Sequence, residues 1–209
     1  MRVAGVDGTK RGWVAIVLDD GRFAADLTCQ PVDCDFAEVG DAEVVAIDVP
    51  IGFGPRKADD EARAFLVGAA NTVFKTPTRE QLLQKFRAGL GVSAQSHALG
   101  ERILHLTQVA RSDSRFREVH PEVSFRAMND GRPLQYRKKS AGGAFERTEL
   151  LRQHGIELDT LGPAAYAPLD DVLDAAAAAW SADRIATGTA QSLPDPPEVI
   201  DRYPVAIWY

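Results

Sequence analysis

The chain has 209 residues, of which 45% are hydrophobic and 26% are charged, and its formal net charge is −6. This composition indicates a folded globular protein rather than a disordered one, and the acidic balance argues against a general nucleic-acid coat. No apolar run approaches the roughly 20 residues of a membrane-spanning helix, and the first residues show no signal-peptide pattern. We therefore expect a cytoplasmic protein in which Cys29 and Cys34 are unpaired thiols and not zinc ligands.

The beginning of the chain is patterned as β-strands. Apolar stretches at residues 2–6, 13–18 and 22–28 predict three strands, and Asp20-Gly21 supplies the positive φ of a tight turn between the last two. Residues 1–28 are therefore predicted to form an antiparallel meander. The run EVVAIDV at 43–49 is apolar almost throughout, which is typical of a strand covered on both faces.

Helical periodicity dominates the middle of the chain. Residues 58–112 carry helical patterns with breaks and are predicted to form a helical insertion. Thr78 and Gln81 have the spacing of a capping box at a helix start. An apolar stripe with helical spacing covers residues 99–110.

The last part of the chain alternates between extended and helical patterns. Two helices are predicted at 145–154 and 170–187, because each pattern ends at a glycine. Residues 116–125 are predicted to be extended, with an interruption at Pro121. Residues 191–198, with three prolines, predict an irregular segment, and residues 205–209 predict a closing strand. The whole pattern predicts an α/β protein of one domain, with a mixed sheet and helices on both faces.

Two aspartates stand at the ends of predicted strands. An Asx-type turn before Gly8 is one explanation for Asp7. Asp48 interrupts an apolar run, and a buried carboxylate without a partner is costly. Asp48 is therefore expected either to pair with an arginine or to bind a metal ion.

Further acidic residues follow along the chain. Asp170 and Asp171 are explained as charges near a helix N-terminus, each worth about 0.3–1 kcal/mol. Asp174 lies a full turn inside the helix, so the positive charge of the helix N-terminus explains its presence less well. Glu118 and Glu122 occur in REVHPEVSF, and which of them faces a site stays open because Pro121 can break the alternation of a strand.

Electrostatics decides what such carboxylates need if they converge. Two of them ~4 Å apart repel by about 4 kcal/mol at an effective dielectric constant of 20. Hard oxygen ligands without cysteine favour Mg²⁺ or Mn²⁺. Two such ions can activate a water molecule and stabilise the leaving oxygen of a phosphodiester.

The opening GVDGTKRGW, followed by strand, turn and strand, resembles that of the ribonuclease H-like superfamily, and DDVLDAAAAAW resembles the D-x-x-D helix of its Holliday-junction resolvase branch. More narrowly, the chain resembles a prokaryotic family of unknown function described as predicted RNase H-like nucleases. The matching segments are GVDGTKRGW, VAIDVPIGFG, NTVFKTPTR, REVHPEVSF, DDVLDAAAAAW and AIWY.

This resemblance implies an RNase H-like mixed sheet and a Mg²⁺- or Mn²⁺-dependent nuclease with two metal ions. It implies that the metal ligands and catalytic acids are Asp7, Asp48, Glu122 and Asp174, with Glu118 and Asp171 as neighbouring ligands. Nucleic acid is then the expected partner, although the net charge does not support it. Six residues are candidates for substrate binding: Lys10, Lys75, Thr76, Arg79, Lys138 and Lys139.

Two other interpretations stay open. The same core fold occurs in actin-like kinases and ATPases, where a strand, an aspartate and a glycine-threonine turn hold phosphate. The chain is short for their two-lobed architecture, and neither a P-loop nor a Rossmann glycine motif occurs. The other possibility is a non-catalytic nucleic-acid or protein-binding module, in which the acids only organise loops.

Overall fold

The computed structural model describes residues 1–10, 12–29 and 39–209. Within these ranges the chain forms a five-stranded sheet, a separate β-hairpin and seven α-helices. The strands of the sheet are β1 (Arg2–Thr9), β2 (Gly12–Asp19), β3 (Arg22–Cys29), β4 (Val44–Ile47) and β5 (Phe116–Glu118), and those of the hairpin are β6 (Ser192–Ile200) and β7 (Tyr203–Trp208). The helices are α1 (Lys57–Phe65), α2 (Arg79–Leu82), α3 (Ala94–Ala98), α4 (Gly100–Ser112), α5 (Pro121–Met128), α6 (Ala141–Gln153) and α7 (Leu169–Ala186).

The five strands lie in the order β3-β2-β1-β4-β5. β1, β2 and β3 form an antiparallel meander, whereas β4 runs parallel to β1 and β5 runs parallel to β4. Asp20 and Gly21 have φ angles of 50° and 74°, as a tight turn between β2 and β3 requires. The prediction of a mixed α/β sheet that begins as an antiparallel meander is confirmed.

Helices cover both faces of the sheet. Successive residues of β1 point to opposite faces, so neighbouring residues of this strand pack against different helices. Val3 belongs to a buried cluster with the alanines of α7, from Ala175 to Ala179. Ala4 belongs to a second buried cluster, which contains residues of the apolar stripe on α4 such as Ile103. The predicted helical stripe is therefore a buried face.

A glycine lets α7 approach the sheet closely. A Cβ atom on Gly5 would stand 1.9 Å from the backbone nitrogen of Ala179 and 2.2 Å from the carbonyl oxygen of Ala175. The glycine on β1 and the small side chains on α7 together place the helix backbone directly against the strand. The register also places Asp174, which precedes Ala175, near the end of β1.

Two predictions of local structure are wrong. Residues 116–125 are not one extended segment, because the strand ends at Glu118 and α5 begins at Pro121. Proline suits the first turn of a helix, since its fixed φ is helical and its missing N–H is not needed there. Residues 192–200 form β6 in spite of their prolines, because among the described strands β6 pairs with β7 alone and its other edge can hold residues without an N–H.

Other local predictions have mixed outcomes. The capping box of Thr78 and Gln81 is confirmed. α6 begins at Ala141, four residues earlier than predicted, because the Ser140 hydroxyl accepts a hydrogen bond from the N–H of Gly143. Cys29 is disulfide-bonded, so the prediction of an unpaired thiol there is wrong, and Cys34 lies outside the described residues. None of the helices in the described ranges has the length and apolar character needed to cross a membrane.

Candidate functional site: an acidic cleft at the edge of the sheet

Three of the aspartates expected to bind a metal ion, Asp7, Asp48 and Asp174, line one cleft of about 320 Å³ at the carboxyl ends of the parallel strands. Asp48 directly follows β4, and its N–H donates to the carbonyl oxygen of Val6 at 3.0 Å, next to Asp7 on β1. α7 crosses both strands and adds Asp174. The cleft thus combines three residues that are distant in the sequence and that the family resemblance implied as ligands.

The three carboxyl groups all have pKa values above that of free aspartate. Burial, followed by repulsion from Asp48 and Asp174, raises the pKa of Asp7 well above its ordinary value. Burial is also the main reason that the pKa of Asp48 rises to about 7 and that of Asp174 to about 6, and Lys138 opposes both shifts. Within the described residues, neither Asp7 nor Asp48 forms an ion pair with a lysine or arginine.

Lys138 supplies the local positive charge. Its Nζ atom lies 2.6 Å from Oδ2 of Asp174, whose side chain is almost fully buried. Burial lowers the pKa of Lys138, but Asp174, Asp48 and Asp7 more than offset this effect, so the pKa lies above its usual range. The ammonium group is therefore a counter-ion to the whole cluster, whereas the sequence indicated a substrate-binding lysine.

Glu118 lines the same cleft but already has partners. The Arg56 guanidinium donates to both of its carboxylate oxygens, at 2.6 and 2.8 Å, and the N–H of Ile51 donates to Oε2 at 2.7 Å. Arg56 also binds Asp59, whose Oδ2 accepts the backbone N–H of Thr76 at 2.6 Å. These contacts make Glu118 part of a buried structural network and do not favour it as a metal ligand.

Glu122 and Asp171 lie at the margin of the cluster. Glu122 belongs to α5, so strand alternation does not relate it to Glu118, and its Oε1 accepts from Arg147 at 2.6 Å. Asp171 lies in the first turn of α7, where burial and repulsion from Asp170 raise its pKa. We therefore keep Asp7, Asp48 and Asp174 as the central set.

The other predicted substrate-binding residues differ in exposure. Thr76 is buried, and its hydroxyl donates to Asp59 at 3.1 Å, so it is not available to a substrate. Lys75 and Lys139 are exposed and lie 3.7 and 3.6 Å from carboxylates. Lys10 and Arg79 are exposed as well, and Lys10 lines a separate pocket beyond the end of β1.

His120, which its position between Glu118 and Glu122 made a candidate ligand or proton carrier, lines the cleft, and so does Arg102, which sequence reasoning missed. His120 precedes α5, and burial lowers its pKa, which favours the neutral imidazole. Arg102 lies on α4 and reaches the cleft beside Gly8. Its position next to the apolar stripe of α4 was the available signal. A basic residue at the border of a buried helix face has to find an opposite charge or solvent for its guanidinium.

The oxygen donors of the cluster are of the kind that a hard divalent cation prefers. Oδ1 of Asp174 is buried without a hydrogen-bond partner in the described part of the chain, and carboxylate oxygens are the ligands that Mg²⁺ and Mn²⁺ prefer. Across residues 1–10, 12–29 and 39–209, however, no three His, Cys, Asp or Glu side chains are arranged as a metal-binding group. Lys138 provides the positive charge that the cluster requires, and a cation has to compete with it.

The fold and the cleft define an α/β protein with a carboxylate cluster at the edge of a mixed sheet. The sequence model of a family described as "Protein of unknown function (DUF429)" matches residues 5–199, so the chain belongs to that family. No curated protein and no solved structure matches it.

Proposed function

We propose that this protein is a phosphodiester hydrolase, a nuclease, that depends on Mg²⁺ or Mn²⁺. The observation that carries the proposal is the convergence of Asp7, Asp48 and Asp174 in one cleft, where two of the carboxyl groups lack an ion-pair partner among the described residues. Such a cluster is costly to ionise unless a cation lies among its members. A divalent cation is the natural ligand for it.

The sheet order supports a finer assignment, also as a proposal. A meander of three antiparallel strands followed by two parallel ones, with an aspartate at the end of β1 and another at the end of β4, agrees with the RNase H-like architecture that the sequence resembles. α7 then corresponds to the helix that brings the last acidic residue of that architecture. We propose that the chain has this fold.

The chain's own residues have separate tasks in the proposed activity. Asp7, Asp48 and Asp174 hold the cation, and the buried sheet edge fixes their positions. The bound ion supplies activation of water and stabilisation of negative charge on the phosphate. Lys138 neutralises the cluster before the cation binds and is then free to face the substrate.

The direct test combines metal binding with cleavage. Calorimetry with MnCl₂ and MgCl₂ is followed by cleavage of single-stranded, duplex, hybrid and junction substrates. The wild type is expected to bind the cation and cleave at least one substrate, and Asp48→Asn is expected to lose both properties. Asp130→Asn is a matched control, because Asp130 is exposed and its carboxylate forms a surface ion pair with Arg132.

A specific observation also favours a second candidate. Glu118 and Glu122 are neutralised by arginines, and Asp174 by Lys138, as expected for a non-catalytic module whose acids organise its loops. That interpretation predicts no binding of Mn²⁺ and no turnover of any substrate. The same calorimetric experiment therefore separates the two candidates.

A further inference from the structure

Arg102 lines the cleft beside Gly8 and has no ion-pair partner among the described residues. It is partly buried, and burial lowers its pKa while Asp7 and Asp171 oppose that shift. An arginine stays charged in proteins at neutral pH, so this is a fixed positive charge. Fixed charges away from bulk water are generally paired with an opposite charge.

The guanidinium is held in place from two directions. Its Nη2 atom donates to the carbonyl oxygen of Thr9 and, at 3.2 Å, to that of Gly12. Its central carbon lies 4.7 Å from the ring centroid of Trp13, a cation–π contact. Nη1 takes no part in these two hydrogen bonds. The chain thus orients the group through Nη2, and Nη1 donates to no group among the residues that the structure describes.

Nη1 lies against Gly8, the residue that follows Asp7. A Cβ atom on Gly8 would stand 2.2 Å from Nη1 and 3.0 Å from the central carbon of the guanidinium. The missing side chain therefore makes room for the guanidinium beside the carboxylate cluster. This arrangement places a donor group next to the site where a cation would bind.

We propose that Arg102 forms an anion subsite of the cleft, in which Nη1 donates to a non-bridging oxygen of a phosphate group. This inference rests on the proposed function and deepens it, since it places the substrate phosphate between the aspartates and α4. The cleft volume of about 320 Å³ suits one phosphate with part of its nucleoside. Arg102 is a substrate-binding residue and has no role in holding the cation.

The experiment uses inorganic phosphate as the probe, with MnCl₂ present, and measures the rise of the melting temperature. Phosphate is expected to stabilise the wild type and to have no such effect on Arg102→Gln. Arg102→Lys is expected to retain part of the effect, because it keeps the charge and loses the planar fork. Arg111→Gln is the matched control, since Arg111 lies on the same helix and its exposed guanidinium pairs with Asp201 at 3.3 Å.

Cleavage kinetics give a second readout. Arg102→Gln is expected to raise KM for the cleaved substrate by roughly 10- to 100-fold, as expected for the loss of a hydrogen bond to a charged group. The slope of log affinity against log salt concentration is expected to fall by the contribution of one phosphate, about 0.7–0.9. A loss of folded protein alone would lower the apparent kcat and would change neither KM nor this slope.

Gly8→Ala tests the geometry without removing the charge. Its methyl group is expected to displace the end of the Arg102 side chain and to abolish phosphate stabilisation. The double variant Gly8→Ala/Arg102→Gln is expected to be no worse than Arg102→Gln alone, because both changes act through the same group. If Arg102→Gln does not fold, the single variant Gly8→Ala decides the matter, and phosphate stabilisation equal to that of the wild type then overturns the subsite.

The outcomes separate the two proposals. Absence of phosphate stabilisation in the wild type, or equal stabilisation of Arg102→Gln, overturns the anion subsite whatever the activity. Absence of metal binding and cleavage in the wild type overturns the hydrolase. Stabilisation by phosphate that depends on Arg102 supports the anion subsite even if the protein neither binds a metal ion nor cleaves a substrate.

Discussion

Gly5 on β1 and Ala179 on α7 are in such close approach that a Cβ atom on Gly5 would stand 1.9 Å from the Ala179 nitrogen. The obstacle is helix backbone and not the end of a flexible side chain, so it cannot move aside cheaply. We expect Gly5→Ala to destabilise the protein by about 3 kcal/mol or more, at the upper end of the range for overpacked cores. Urea unfolding measures this change.

The control for this prediction is Gly162→Ala. The φ angle of Gly162 is −91°, and the nearest contact of an added Cβ atom is an ordinary one of 3.5 Å to Asp26. This variant is expected to change stability by less than about 1 kcal/mol. Equal stability of the two variants would mean that α7 does not depend on Gly5 for its position.

Lys138 and a divalent cation are expected to compete for Asp174. Replacing Lys138 by methionine removes the ammonium group that lies 2.6 Å from the carboxylate. The metal-free variant is expected to lose about 1–3 kcal/mol of stability at pH 8, because a buried carboxylate loses its counter-ion. Its affinity for Mn²⁺ is expected to rise roughly tenfold, since the competing charge is gone.

Lys139→Met is the matched control for this comparison. Lys139 is exposed and lies 3.6 Å from Asp170, so its contribution is that of a surface ion pair, about 0–1 kcal/mol. Calorimetry with MnCl₂ on both variants makes the comparison. If Lys138→Met binds Mn²⁺ no more tightly than Lys139→Met does, the lysine and the metal ion do not share a site.

The raised pKa values of Asp48 and Asp174, about 7 and about 6, set the pH dependence of stability. An acid whose folded-state pKa is raised holds its proton in the folded protein at pH values where the unfolded chain has released it. The contribution of these two groups to stability therefore falls as pH rises from about 4 to about 7. We expect the metal-free protein to lose about 1–3 kcal/mol from this source between pH 5 and pH 8.

Asp48→Asn isolates this effect, because asparagine does not titrate. The stability of this variant relative to the wild type is expected to increase as pH rises, as measured by urea unfolding at several pH values. Saturating Mn²⁺ is expected to stabilise the wild type more at pH 8 than at pH 5, since carboxylates bind the cation when ionised. A stability difference that does not change with pH would show that Asp48 titrates normally.

The sequence predicts the parts of the fold that depend on local chemistry. The meander follows from short apolar runs and from Asp20-Gly21, and the capping box of Thr78 follows from residue spacing alone. The sequence places Asp7 and Asp48 at or near the carboxyl ends of two strands, β1 and β4. Asp7 and Asp48 then lie close together if β1 and β4 pair in parallel, and the structure shows that they do.

The partners of the acidic residues were not predictable in the same way. Arg56 and Glu118 are 62 positions apart, and nothing local to either residue indicates the other. The segment 116–125 was misjudged because a short apolar run fits a strand and a buried helix equally well. Pro121, which we interpreted as an interruption of a strand, is the first residue of α5.

Glu118 provides the sharpest contrast with the three aspartates, because its ion pair with Arg56 is almost fully buried on both sides. Glu118→Gln removes one of the two carboxylates that contact Arg56, and because Asp59 still pairs with the guanidinium, the cost is expected to be about 1–3 kcal/mol, below the range for a buried charge that loses its only partner. We expect this variant to unfold at lower urea concentration and, where folded, to bind Mn²⁺ as the wild type does. Asp48→Asn is expected to do the opposite at pH 8, losing the metal ion while retaining or gaining stability. Loss of Mn²⁺ binding by folded Glu118→Gln would return Glu118 to the set of metal ligands and make Arg56 a competitor for it.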